Sequence, residues 1–340
     1  MSPRQAGLLV SHAFWWGAAY VFASLALRGF SPILLVALRL GIAALVLAVV
    51  LQAMGDGIGD AVRLLRERPG AVFILAVTVS AAPFALITSG QDHIPAGTTA
   101  VLISSVPLWA ALIGVRLDRT SRVGARQAAG LALGFLGVGL VVGAETVQTA
   151  DEILGACLVL LGAAAVASGN LYSQLRFSEE PPFTRATLTA GLAALVLAPG
   201  AAAAGSADLA LTPVAGLIGL AVGSTALLLL LTFWLIDAVG ARRAALSAYL
   251  APAFALVLSA IVLDERITVA AVGGLVLIVS GVVLAARPAP SRREPEADPA
   301  DLDALTPGPD LLGHRDRDLD EPAVALHERH ARQGIDAEHR

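Results

Sequence analysis

Apolar blocks of roughly twenty residues follow one another through the first 286 positions, and their recurrence limits the fold more than any other feature. Ten fall at about 8–27, 32–51, 70–90, 96–115, 123–142, 153–172, 183–203, 213–235, 243–262 and 267–286. A helix rising 1.5 Å per residue needs about 20 residues to cross a ~30 Å hydrocarbon core. The expected fold is therefore an all-α membrane protein with ten transmembrane helices. Composition agrees, because 56% hydrophobic and 15% charged residues leave too little polar surface to clothe a soluble domain. The first block follows Arg4 as a signal peptide's would, but it carries His12, Trp15, Trp16 and Tyr20 and more spans follow it. It reads as a retained helix.

Several function classes drop out at once. Cys157 is the only cysteine, which excludes an intrachain disulfide. All 23 basic residues are Arg, so the Lys that a Walker A loop sends to nucleotide phosphates is missing, and transport must draw on a gradient or a partner. No HExxH, CxxC or paired His and Asp cluster lies within the spans, which argues against a metal centre and a membrane-embedded enzyme.

The Arg residues also orient the chain. Connections after even-numbered spans carry Arg63, Arg66 and Arg68, then Arg116, Arg119, Arg122 and Arg126, then Arg176 and Arg185, then Arg242 and Arg243; those after odd-numbered spans carry only Arg28 and Arg266. By the positive-inside rule the former are cytoplasmic, and both termini with them, as expected for a protein of the inner (plasma) membrane. From 287 to 340 the chain holds 13 acidic residues, 8 Arg and seven Pro, the composition of a disordered acidic cytoplasmic tail. Its His314, His327, His330 and His339 read as solvated side chains.

An internal repeat runs through the spans. "GIAALVLA" (Gly41–Ala48) returns as "GLAALVLA" (Gly191–Ala198), with Pro32 and Pro182 opening the respective helices. "WWGAAY" aligns with "ASGNLY", pairing Gly17 with Gly169 and Tyr20 with Tyr172. "TTAVLISSVPLWA" aligns with "RAALSAYLAPAFA", placing Pro107 on Pro252, and "GLALGFLGVGLVV" with "GLVLIVSGVVLAA", placing Gly130 on Gly274 and Gly137 on Gly281. Residues 1–143 and 152–286 form the two copies. Five spans is an odd number, so the second copy enters the bilayer from the opposite side. Inverted repeats of this kind build many secondary transporters, in which two near-equivalent halves expose one central site to each face in turn.

The stretch "WWGAAYVFASLALRGFSPILLVALRLGIAALVL" resembles the start of the EamA-type repeat of the drug/metabolite transporter superfamily, with its W-G, the Pro opening helix 2 and an Arg seven residues later, Arg39. "LSAYLAPAFALVLSAIVLDERITVAAVGGLVLIVSGVVL" resembles the end of that repeat: a Pro in the fourth helix, the turn Asp264-Glu265-Arg266, then a Gly-rich fifth helix. The resemblance covers residues 6–286 and implies a transporter whose helices 1, 3, 4, 6, 8 and 9 surround a central cavity. Two departures stand out. Thr120 occupies the place of Glu265 in the first copy, and Thr189 that of Arg39 in the second.

Ionisable groups within a bilayer are costly and mark sites by default. Arg39, a third of the way into span 2, could hold a substrate carboxylate through its planar fork; it could equally satisfy backbone carbonyls or snorkel to the interface. His12, Trp16 and Tyr20 follow at i+4 steps and share a helix face, suited either to a cavity wall or to interfacial anchoring. Ser104, Ser105, Ser168, Asn170, Tyr172, Ser224, Thr225, Ser247 and Tyr249 add polar groups near midplanes, and Pro107 and Pro252 are candidate hinges. The expected substrate-binding set is His12, Trp16, Tyr20, Arg39, Ser104, Ser105, Asn170, Tyr172, Thr225 and Tyr249. Glu265 reads as a structural cap or partner of Arg266. Gly130, Gly134, Gly137, Gly273, Gly274 and Gly281 read as packing faces, within one chain or across a homodimer. The expectation is a secondary active exporter of small metabolites such as amino acids, with import or exchange of another polar or cationic compound as the alternative. Its partners would be a small-molecule substrate and membrane lipid, with proton coupling open and neither cofactor nor nucleic acid expected.

Overall fold

The computed structural model describes residues 2–53, 57–117, 124–143, 149–205 and 207–285. The tail expected from 287 onward lies outside them, as do Arg119, Thr120 and Arg122. Among the described residues the chain is helical, without a strand. The helices are α1 (Pro3–Leu27), α2 (Pro32–Ala53), α3 (Gly57–Glu67), α4 (Pro69–Gln91), α5 (Ala96–Ile103), α6 (Val106–Leu117), α7 (Ala125–Gly143), α8 (Ala150–Phe177), α9 (Pro182–Ala203), α10 (Leu211–Val239), α11 (Ala241–Ala244), α12 (Ser247–Val262) and α13 (Val269–Ala285).

Local sequence explains where they start. Ser2 and Gln5 form a reciprocal capping box ahead of α1, and Thr149 and Glu152 do the same for α8. Helices α2, α4 and α9 begin at Pro32, Pro69 and Pro182, where the missing N–H costs nothing. Pro107 has the opposite effect. It sits too deep in its span to be harmless, and the chain breaks at Ser104 and Ser105 just before it, separating α5 from α6.

Among the described residues eight stretches are helices long and apolar enough to cross a bilayer, the run Ala96–Gly114 formed by α5 and α6 being one of them. The last two expected spans are shorter apolar helices of 16 and 17 residues, α12 and α13; α12 starts late because the chain breaks at Ala245 and Leu246 after the single turn of α11. At 1.5 Å per residue they reach roughly 24–26 Å. A further helix, α3, lies where only an Arg-bearing connection was expected; it buries Leu64 and carries an exposed Asp60–Arg63–Glu67 ladder.

Helix pairing is patterned. Helix α7 packs along α13, and α2 along α9; α1 lies against α10 and α12, and α8 against α4 and the α5–α6 run. The glycine faces explain the closest of these contacts. A Cβ on Gly281 would lie 2.5 Å from Gly134 N and 2.6 Å from Gly130 O, and one on Gly137 would lie 2.8 Å from Gly274 O. Both glycine faces thus meet within one chain, backbone on backbone, as small residues permit in lipid. Gly273 stands aside, its nearest neighbour being Leu140 at 3.4 Å.

Two helices depart from α geometry at mid-length. Val77–Ala81 within α4 and Gly219–Leu227 within α10 are wound as π-helix. The shift in numbering that places Pro107 on Pro252 carries the first of these segments onto residues 222–226, inside the second.

Candidate functional site

Helices α1, α2, α4, α5, α6, α8, α10 and α12 surround a cavity of about 420 Å³. Of the residues expected at a site, Trp16, Tyr20, Arg39, Ser104, Asn170, Thr225 and Tyr249 line it, and so do Pro107 and Pro252. Its wall is closed at the end made by Thr88, Gln91 and Ala100, which are 3%, 5% and 1% exposed. At the other end Asn170 is exposed.

Arg39 is the only charged side chain among the described residues that line this space. Its Nε donates to Thr225 Oγ1 at 2.9 Å, and its guanidinium lies over the Phe84 ring, 4.3 Å from the centroid. Thr225 Oγ1 in turn donates to Leu220 O at 2.8 Å, five residues back, a bond that the π-wound turn of α10 makes available. One edge and one face of the guanidinium are thus fixed by neutral groups. Among the described residues the two terminal nitrogens have no hydrogen-bond partner, and no carboxylate lies within ion-pair reach. The fork they form is preorganised for a planar anion.

Three of the expected residues lie off the cavity. Ser105 neighbours Ser104 but points a third of a turn away; it is fully buried and its hydroxyl donates to Leu102 O at 2.6 Å, the carbonyl that also accepts its own N–H at 3.1 Å. Tyr172 packs on Phe177 and donates to Ala71 O at 3.3 Å, which places it in the core between α8 and α4. His12 sits behind the wall, with Trp16 edge-on at 5.8 Å between ring centroids. His12 Nε2 meets Thr232 Oγ1 at 2.9 Å. Because the Thr232 proton goes to Leu228 O, Nε2 is the donor in this contact and Nδ1 carries a buried lone pair without a partner.

Sequence reasoning missed Phe84, Thr88, Gln91 and Thr232, all of which line the cavity. Gln91 is the most informative. Its Nε2 donates to Tyr20 O at 2.6 Å and to Ser24 Oγ at 2.9 Å, pinning the end of α4 to α1. At the end of an apolar block and next to Asp92 it looks like the first residue of a loop. The usable signal was that an amide closing such a block has to find buried partners.

Glu265 lies outside the cavity and joins its closed end. The carboxylate accepts from Ala96 N at 2.8 Å and Gly97 N at 3.0 Å, so it caps α5 from the turn between α12 and α13. Replacement by Ala leaves two helix-terminal donors unpaired. The expected cost is about 1–2 kcal/mol, read as a lower thermal unfolding midpoint in detergent, with Glu265→Gln recovering part of it. No group of three His, Cys, Asp or Glu gathers among the described residues.

This geometry is that of a bundle built around a small-molecule chamber, and comparisons with known proteins agree with it. Residues 5–143 and 153–287 each match the EamA-like transporter family. Curated relatives include the uncharacterized transporter YoaV of Bacillus subtilis, 22% identical over 81% of this chain and 94% of the relative. YdfC of the same organism, also an uncharacterized transporter, is 28% identical over 83% and 92%, and an uncharacterized transporter of Archaeoglobus fulgidus is 25% identical over 80% and 95%. A solved structure superposes with a TM-score of 0.60 over 84% of this chain and 98% of its own, at 18% identity, which shows a shared fold. A family match across both halves, transporter relatives over nearly their full lengths, and a cavity walled by apolar helices lead to one conclusion: the chain is a multi-pass membrane protein of the EamA-like transporter family, a transporter rather than an enzyme.

Proposed function

We propose that the protein is a secondary active transporter that exports small carboxylate-bearing metabolites across the inner (plasma) membrane, by alternating access between two inverted five-helix repeats. The observation that carries this reading is the unpartnered guanidinium fork of Arg39 in a chamber with no acidic wall residue among those described. A cationic cargo would meet that charge as a repulsion, so the anionic reading is favoured over the cationic alternative.

The helix pairings support the repeat. Exchanging the first five spans with the last five maps α7–α13 and α2–α9 onto themselves, α1–α10 onto α8–α4, and α1–α12 onto α8 with the α5–α6 run. The π-wound segments fall in the exchanged helices α4 and α10. The Arg-rich connections put the Asn170 end of the cavity on the cytoplasmic side and the Gln91 end outside, which is the arrangement for loading an exported compound.

Topology tests the architecture. Reporters fused after Thr149 and after Arg287 are expected on opposite sides of the membrane; the same side for both makes the span count per half even and ends the inverted-repeat mechanism. Proteoliposomes loaded with a panel of carboxylates, with and without an imposed pH gradient, test the transport itself. Efflux of a carboxylate is the expected result, and efflux indifferent to the gradient removes proton coupling.

A further inference from the structure

The proposed function leaves open which carboxylates fit, and the charge balance of the cavity narrows the class. We propose that the site selects monocarboxylates whose remaining body is uncharged and apolar, such as aryl-alkyl or branched-alkyl carboxylates, over the corresponding zwitterionic amino acids. The inference rests on the reading of Arg39 as the carboxylate anchor.

A single guanidinium with no counter-charge on the wall is neutralised by one carboxylate. A zwitterion brings its own ammonium one carbon away from that carboxylate, so the loaded site keeps a net positive charge; an amine without a carboxylate leaves two. Between low-dielectric walls each uncompensated charge is costly. The neighbourhood of Arg39 offers an ammonium little else. Thr225 Oγ1 is engaged on both sides, accepting from Arg39 and donating to Leu220 O, and the Ser224 hydroxyl, 2% exposed, is buried and turned to Trp15 O at 2.8 Å. The Phe84 ring already lies under the guanidinium itself, so that face is not free to hold a cation. Much of the rest of the wall is apolar or aromatic, Trp16, Ile87, Ile103 and Leu229 among it, and can receive an apolar side chain. Hydroxyls and amides on the wall can serve an uncharged polar substituent; none of them supplies a charge.

The test is binding to the purified full chain in lipid nanodiscs at neutral pH, by calorimetry, with one phenyl series: 3-phenylpropanoate, phenylalanine, 3-phenylpropan-1-ol and 2-phenylethylamine. The pair 4-methylpentanoate and leucine covers the aliphatic case. Each carboxylate is expected to bind at least tenfold tighter than its amino acid, with the amine weakest. In Arg39→Gln the carboxylate is expected to fall at least tenfold, to the level of the alcohol, while Arg39→Lys keeps the order with reduced affinity. Thermal unfolding of each variant reports whether it is folded. Phenylalanine binding as tightly as 3-phenylpropanoate, with both lost in Arg39→Gln, overturns the selectivity and leaves the carboxylate anchor standing. Affinities unchanged in Arg39→Gln overturn the anchor and the selectivity together, and so does an absence of binding by every probe to the wild type.

Discussion

Arg39→Gln is expected to slow carboxylate export more than tenfold while leaving the amount of folded protein near that of the wild type. The side chain contributes little to holding the fold: one hydrogen bond to Thr225 and one stack on Phe84. When the guanidinium is gone, Thr225 keeps its bond to Leu220 O, so no buried hydroxyl is stranded. The substrate loses both free N–H donors of the fork and a full charge. Hydrogen bonds to charged groups contribute roughly 1.5–3 kcal/mol each, and every ~1.4 kcal/mol is a factor of ten, so losing even one exceeds the tenfold threshold. Arg39→Lys restores the charge without the planar fork and is expected to fall between the two. The measurement is initial efflux from proteoliposomes matched for folded protein, with thermal unfolding alongside. A loss of folded protein equal to the loss of flux would show that the guanidinium serves the fold and would remove it from the site.

The largest structural effect is expected at Gly281. A leucine there places its Cβ within 2.5–2.7 Å of the Gly134 N and Cα atoms and the Gly130 O. Backbone atoms of a facing helix cannot rotate out of the way as a side chain can, so α7 and α13 have to separate along their length. Overpacking a well-packed core costs about 1–3 kcal/mol, and a rigid obstacle puts this substitution at or above the upper end. Gly281→Leu is therefore expected to abolish the monodisperse folded species in detergent. Gly139→Leu on the same helix pair is its control, because nothing lies within 4 Å of a Cβ at that position. It is expected to leave the unfolding midpoint within a degree or two. Equal behaviour of the two variants would mean that α7 and α13 do not touch through their glycines.

Much of this architecture can be read from the sequence, because the signals are periodic or costly. Apolar block length sets the helices, and capping boxes and N1 prolines set their starts. Arg39 stood out because a charge in a hydrophobic block demands a reason. The misses come from features with no such mark. Ser104 and Ser105 are chemically equivalent and adjacent; only the direction each takes at the break before Pro107 places one on the cavity and the other in the core. Trp16, Tyr20 and His12 share a face by spacing, yet the wall curves, and His12 falls behind it against Thr232. The π-wound turns of α4 and α10 leave no mark in the hydrophobic pattern, so the bond that steadies Arg39 could not be foreseen. Glu265 was legible as a cap, but not that the helix it caps belongs to the other half of the chain.

The Glu265 clasp bears on where the carrier idles. With the Gln91 end shut, one carboxylate holds two amides across the halves, whereas at the matching turn of the other half the sequence supplies Thr120, a neutral hydroxyl. In the proposed alternating-access cycle two shut forms supplied so unequally are expected to differ in population, and ~1.4 kcal/mol of difference already weights them ten to one. In the proposed export cycle such a carrier is expected to wait open toward the compartment that holds the cargo, with the outward swing rather than capture setting its turnover.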